Sequence, residues 1–227
     1  MKKTSGPAVI AALLAFNGGF VDTASFLGLE GLFTSHVTGN FVTLGAALVS
    51  GSHGILNKLL ALPVFVVSIA LARMAAAYLR ARDLPVLTSL LLAEVVLLAL
   101  FCGLAVTYGP FPNADTPLAL LTGFAGVAAM AVQNGFQRVH FAELPPTTIM
   151  TGNTTQATID AVDLLRGVPR KQRKAIAARF RRLAASILYF AAGCAASAAL
   201  FWQIGFWCLI VAVAVAAAAA MVRAATE

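Results

Sequence analysis

The chain has 227 residues, of which 60% are hydrophobic and 11% charged, with a formal net charge of +7. Soluble domains carry about a quarter charged residues, so this composition cannot cover a water-facing surface and excludes an ordinary soluble domain. What it describes is an integral membrane protein with an excess of basic residues.

A first apolar segment runs from Ala8 to Leu29, enough to cross a hydrocarbon core of about 30 Å at about 1.5 Å per residue. It carries Asp22 and is loosened by Gly18-Gly19. Lys2 and Lys3 imitate the start of a signal peptide, but the run continues through Asp22, so an uncleaved helix is expected. There follow Phe33-Thr34-Ser35-His36-Val37-Thr38-Gly39-Asn40 and a short apolar run, Phe41 to Val49. Leu59 to Leu79 is the second clear span, with Arg73, Arg80 and Arg82 at its end, and Leu84 to Tyr108 is the third, with Glu94 inside it. Gly109 to Thr116 has two prolines and no basic residue, and reads as the joint between two halves.

The second half repeats the plan. Pro117 to Phe141 is a span closing on Gln133-Asn134 and Arg138, followed by Pro146-Thr147-Thr148-Ile149-Met150-Thr151-Gly152-Asn153 and then Thr154 to Leu165. Leu183 to Phe201 and Gly205 to Val222 complete it. A Thr-Gly-Asn triplet at matching places in two halves, each after an Asn-Gly step, points to internal duplication, with repeats at 8–108 and 117–222 in one transmembrane domain. The three cysteines, Cys102, Cys194 and Cys208, lie in apolar runs without metal-ligand spacing and read as packing residues.

Positive charge sets the topology. Arg166, Arg170, Lys171, Arg173, Lys174, Arg179, Arg181 and Arg182 are half of the 16 basic residues, so 166–182 reads as a basic cytoplasmic loop, on the same side as Lys2-Lys3 and Arg80/Arg82. If both Thr-Gly-Asn segments crossed the membrane there would be seven or eight spans, and Arg80 and Arg82 would fall outside. If each dips in and returns, six spans remain, every basic cluster and both termini are cytoplasmic, and the 109–116 linker is external. The expected fold is therefore all-α, with two inverted three-helix repeats, each holding a Thr-Gly-Asn re-entrant half-helix in the cell's inner (plasma) membrane.

Irregular backbone at mid-depth is tolerated only against protein or a water-filled cavity. Two half-helix N-termini meeting there would offer free N–H groups and partial positive charge to an anion or to a polar solute with acceptors. This makes Thr38, Gly39, Asn40, Thr151, Gly152 and Asn153 candidate substrate-binding residues, with Gln133 and Asn134 as candidate path-lining groups; the bland alternative is hydrogen bonding between helices. Aligning Gly19 with Gly135 sets Asp22 on Arg138, a candidate charge pair or gate. Glu94 and His36 are candidate proton-coupling groups. No HxxxH, CxxC, Walker loop or GxSxG is present, and Ser35 beside His36 is too little for a nucleophile, so no enzyme activity, metal or cofactor is expected.

These residues, from Gly19-Phe20-Val21-Asp22 through the doubled Thr-Gly-Asn, resemble the YoaK family of bacterial and fungal multi-pass membrane proteins over nearly the whole chain. The resemblance implies a permease-like role and supplies no substrate or site residues. The expectation is thus a transporter or channel for a small polar solute, anionic or neutral. The rivals are a lipid-binding or scaffold protein acting through its basic loop, an intramembrane enzyme, and a cation carrier using Asp22 and Glu94. Expected partners are the solute or ion, anionic lipid headgroups at the basic loop and a second copy in a homodimer, but no nucleic acid.

Overall fold

The computed structural model describes residues 6–225, which form helices joined by short loops and no strand. Eight α-helices follow in order: α1 (Gly6–Gly28), α2 (Asn40–Ser50), α3 (Ile55–Ala81), α4 (Val86–Tyr108), α5 (Pro117–His140), α6 (Met150–Arg166), α7 (Arg170–Ile204) and α8 (Leu209–Ala224). Single 3-10 turns, Val37–Gly39 and Gly205–Cys208, lead into α2 and α8. Lys2 and Lys3, expected on the cytoplasmic face, lie outside the described residues.

Five helical stretches are long and apolar enough to cross a bilayer: α1, α3, α4, α5 and the stretch Arg170–Ala224. The last is two helices, because Gly205 takes a positive φ of 56° that ends α7. One expectation needs correcting here. The basic stretch is no loop, since α7 begins at Arg170 directly after Pro169 and stays helical through Arg182. Alanine, lysine, arginine and glutamine favour helix, and proline before the first turn starts one without loss of a needed donor.

α1 and α5 are the least apolar of these stretches and also the most buried, whereas α3 is strongly apolar and largely exposed. That distribution suits a lipid surround, where outward faces must be apolar and polar groups are kept for the interior. On α3 the side chains of Val66, Val67, Leu71 and Met74 all point outward. Inside, Phe20, Phe101, Met130 and Leu209 join α1, α4, α5 and α8 in one core, while Ile10, Leu14, Leu91 and Phe136 form a second at the opposite end.

Helix α1 packs on α7 and α8, α5 on α3 and α4, α2 on α3, α6 on α7, and α4 on α8. The α1–α7 crossing is a backbone contact made by glycines. A Cβ at Gly193 would collide with the Phe16 carbonyl, and one at Gly19 with the Phe190 carbonyl. Asp160 of α6 is held by Arg179 of α7 through Nε at 2.9 Å and Nη2 at 2.6 Å.

The linker between α4 and α5 is fastened to the first half. Asp115 Oδ2 accepts from the N–H groups of Gly54 and Ile55 at 3.0 Å, and its Oδ1 accepts from Asn57 at 3.1 Å, so a residue 60 positions away caps α3. Glu30 Oε2 accepts from Ala114 N–H at 2.8 Å, and buried Lys58 donates to the Gly54 carbonyl at 3.1 Å. These bonds gather the end of α1 and the starts of α3 and α5 at one end of the bundle. At the other end, His140 closes α5 within electrostatic reach of Arg73, Arg80 and Arg223.

Replacing Asp115 with alanine should lower unfolding stability by about 1–2 kcal/mol, the usual value of a helix cap, with Asp115→Asn retaining part of it, as measured by thermal unfolding in detergent. Gly193→Val should cost about 3 kcal/mol or fail to fold, because the obstacle is backbone rather than a side chain that can swing away.

Candidate functional site

The two Thr-Gly-Asn segments are each the end of a folded-back loop. In the first loop, Asp22 on α1 is 4% exposed and its carboxylate gathers five donors. Oδ1 accepts from the N–H groups of Thr34 (2.8 Å) and Ser35 (2.7 Å) and from Thr34 Oγ1 (3.0 Å). Oδ2 accepts from Ser35 Oγ (2.6 Å) and His36 N–H (3.1 Å). Consecutive backbone N–H groups in a turn form a concave anion seat, and here the protein fills it with its own carboxylate.

The expected Asp22–Arg138 pair is therefore corrected. Asp22 spends its charge on residues 34–36, and no ion pair joins it to Arg138 among the described residues. The group that serves the second loop as Asp22 serves the first is Asn134, since Thr148 Oγ1 donates to Asn134 Oδ1 at 2.6 Å. Gln133 supports the same loop, with Nε2 donating to Thr147 Oγ1 (3.1 Å) and to the Leu14 carbonyl of α1 (3.0 Å).

The two asparagines of the triplets close their loops. Asn40 Oδ1 accepts from Phe33 N–H and its Nδ2 donates to the Phe33 carbonyl, both at 2.8 Å. Asn153 Nδ2 donates to the Pro146 carbonyl at 2.8 Å, the same seven-residue reach, but Pro146 has no N–H to complete the pair. Both asparagines are buried, and neither side chain caps its helix. Gly39 has φ −63°, ordinary helical backbone, and a Cβ there would press on Phe33 and His36, each at 3.1 Å. Gly152 lies in the first turn of α6 with open space beside it.

Between the loops lies a cavity of about 610 Å³, within the range of small-molecule sites. Ser35, His36, Val37 and Thr38 line it from the first loop, and Thr148, Ile149 and Thr151 from the second. Helix α5 contributes Asn134, Arg138 and His140, and α3 contributes Arg73 and the apolar Leu62, Phe65, Ile69 and Ala76. Of the candidate residues, the cavity gathers Thr38, Thr151, Asn134, His36 and Arg138. Asn40, Asn153 and Gln133 stand behind its wall, supporting the loops, while Gly39, Gly152, Asp22 and Glu94 do not line it.

A second cavity of about 390 Å³ lies on the other side of the first loop, between α1 and α7, lined by Asp22, Phe26, Phe190 and Cys194. His36 borders both cavities. Sequence reasoning does not single out Arg73 or His140 for this cavity; for Arg73 the available signal is a basic residue two turns before the end of an apolar run. Glu94 is fully buried on α4, with the Asn17 side chain of α1 set against its carboxyl group.

Asp22→Ala strands five donors in the interior. It should cost about 3 kcal/mol or more and speed hydrogen exchange of residues 33–40 while leaving 146–153 protected. Asp22→Asn should fall between that variant and wild type.

No curated protein and no solved structure matches the chain. A family model described as "Protein of unknown function (DUF1275)" matches residues 10–222. With that match spanning almost all of an all-helical, apolar chain and both loops of the cavity, the protein belongs to this family.

Proposed function

We propose that the protein transports a small polar solute, anionic or neutral, across the cell's inner membrane, and that it is not an enzyme. The observation that carries this reading is the cavity shared by both Thr-Gly-Asn loops, with a second cavity on the far side of His36. A solute path would run from one to the other, with His36 as the barrier between them.

The architecture that fits this path is two inverted repeats, α1–α4 and α5–α8, each with one re-entrant segment. In its support, exchanging α1 with α5, α2 with α6, α3 with α7 and α4 with α8 maps the packing contacts onto one another: α1–α7 onto α5–α3, α1–α8 onto α5–α4, and α2–α3 onto α6–α7. Helix α2 is 11 residues long, or about 16 Å, half of a hydrocarbon core. It begins beside a loop bound to Asp22 and leads into the Asp115-capped start of α3, as a segment that enters and returns would. On this reading α1, α3, α4, α5, α7 and α8 cross, and the basic start of α7 lies in the cytoplasm against anionic headgroups. Glu94, fully buried with the Asn17 side chain set against its carboxyl group, is the candidate for proton coupling.

Two measurements test this. Cysteines placed at His53 and Glu143, in a background without Cys102, Cys194 and Cys208, should label from outside only at position 53 and only after permeabilisation at position 143. A cytoplasmic position 53 would remove the re-entrant segment and the inverted repeat with it. In proteoliposomes loaded with radiolabelled benzenesulfonate or mannitol, His36→Trp should abolish whichever flux the wild type shows; an unchanged rate would rule out a path past His36.

A further inference from the structure

The two loops differ in what sits in their anion seats. The first is filled by Asp22. The corresponding group at the second is the neutral amide of Asn134, and the N–H groups of Thr147, Thr148 and Ile149 have no hydrogen-bond acceptor among the described residues. A carboxylate is thus built in at one loop and missing at its counterpart, and the counterpart forms part of the cavity wall.

The rest of that wall matches an anion. Arg138 and Arg73 line the cavity, and no aspartate or glutamate does. They border a space whose surface is largely apolar, including Phe65, Ile69 and Phe136. Inorganic anions would leave those side chains without contacts, and a cation would meet two guanidinium groups.

We propose that the cavity binds a small organic carboxylate with an apolar body. Its carboxylate accepts from the backbone N–H groups of the Thr147–Ile149 turn, beside the Asn134 amide that holds Thr148 Oγ1, as the Asp22 carboxylate accepts from Thr34–His36. Arg138 and Arg73 neutralise the charge, and the body lies along the apolar wall. This rests on the transport reading for its site, but binding can be measured without flux, so a protein that binds and does not transport would sink only the transport reading.

The test uses the full chain in nanodiscs of zwitterionic lipid, with phenylacetate as the probe and calorimetry as the readout. Phenylacetate should bind, whereas phenylacetamide (no charge), phenethylamine (opposite charge) and acetate (no body) should bind at least tenfold more weakly. Arg138→Gln should weaken phenylacetate binding by about ten- to a hundredfold, the usual value of a charge-assisted contact. The decisive variant is Asn134→Asp, which gives the second loop the carboxylate that the first already has. It should keep or raise the thermal midpoint while abolishing binding, an outcome that separates seat occupancy from misfolding. Equal binding of the amide or amine, or wild-type affinity in a folded Asn134→Asp protein, would overturn the proposal. So would displacement of phenylacetate by phosphatidylglycerol in the disc, which would assign the cavity to a lipid headgroup instead.

Discussion

The bond set between Asp22 and residues 34–36 is the constraint on which the centre of the molecule depends. A chain that turns back inside an apolar bundle exposes backbone N–H groups with no water to satisfy them, and each unsatisfied group costs several kcal/mol. One carboxylate removes three such groups and two hydroxyls at once. Its own burial is tolerable because every donor it meets is aimed at it. With the loop pinned at Asp22, Asn40 can tie its far end to Phe33, and the short α2 starts from a fixed point.

The second loop is held by neutral groups that leave its backbone N–H groups toward the cavity unbonded. Asn134 and Gln133 take its hydroxyls, and Asn153 takes the Pro146 carbonyl. Each loop also rests on the long helix of the opposite half. Gly126 of α5 sits against Thr34, and Gly18 of α1 sits against Thr147 and Thr148, where a side chain would stand 3.1–3.2 Å from loop atoms. The paired glycines therefore let two irregular segments approach the bundle axis together, which is how one cavity comes to be lined by both.

Much of this was legible in the sequence. The apolar runs located the long helices to within a few residues at most of their ends, and the doubled triplet marked both walls of the cavity. The roles of individual residues were less legible, for physical reasons. Asn40 and Asn153 looked like ligands because polar groups in lipid are usually functional, yet each reaches back seven residues, a contact that exists only once the loop has closed. Matching Gly19 to Gly135 sets Asp22 against Arg138, but the loops place its role opposite Asn134. Asp115 gave no local sign that it caps a helix some 60 residues earlier. The start of α7 was hidden by its charge, since a hydropathy window ends where lysine and arginine begin although helix propensity does not.

Pro146 has a mechanical consequence. Where Phe33 offers Asn40 both a donor and an acceptor, Pro146 offers Asn153 only an acceptor, and Ser186 Oγ of α7 donates to that same carbonyl at 3.3 Å, so the second loop is closed partly by a neighbouring helix. This shared latch adjoins the wall that carries Thr148 and Ile149. The first loop is thus closed within itself and clamped by a carboxylate, whereas the second borrows part of its closure from α7.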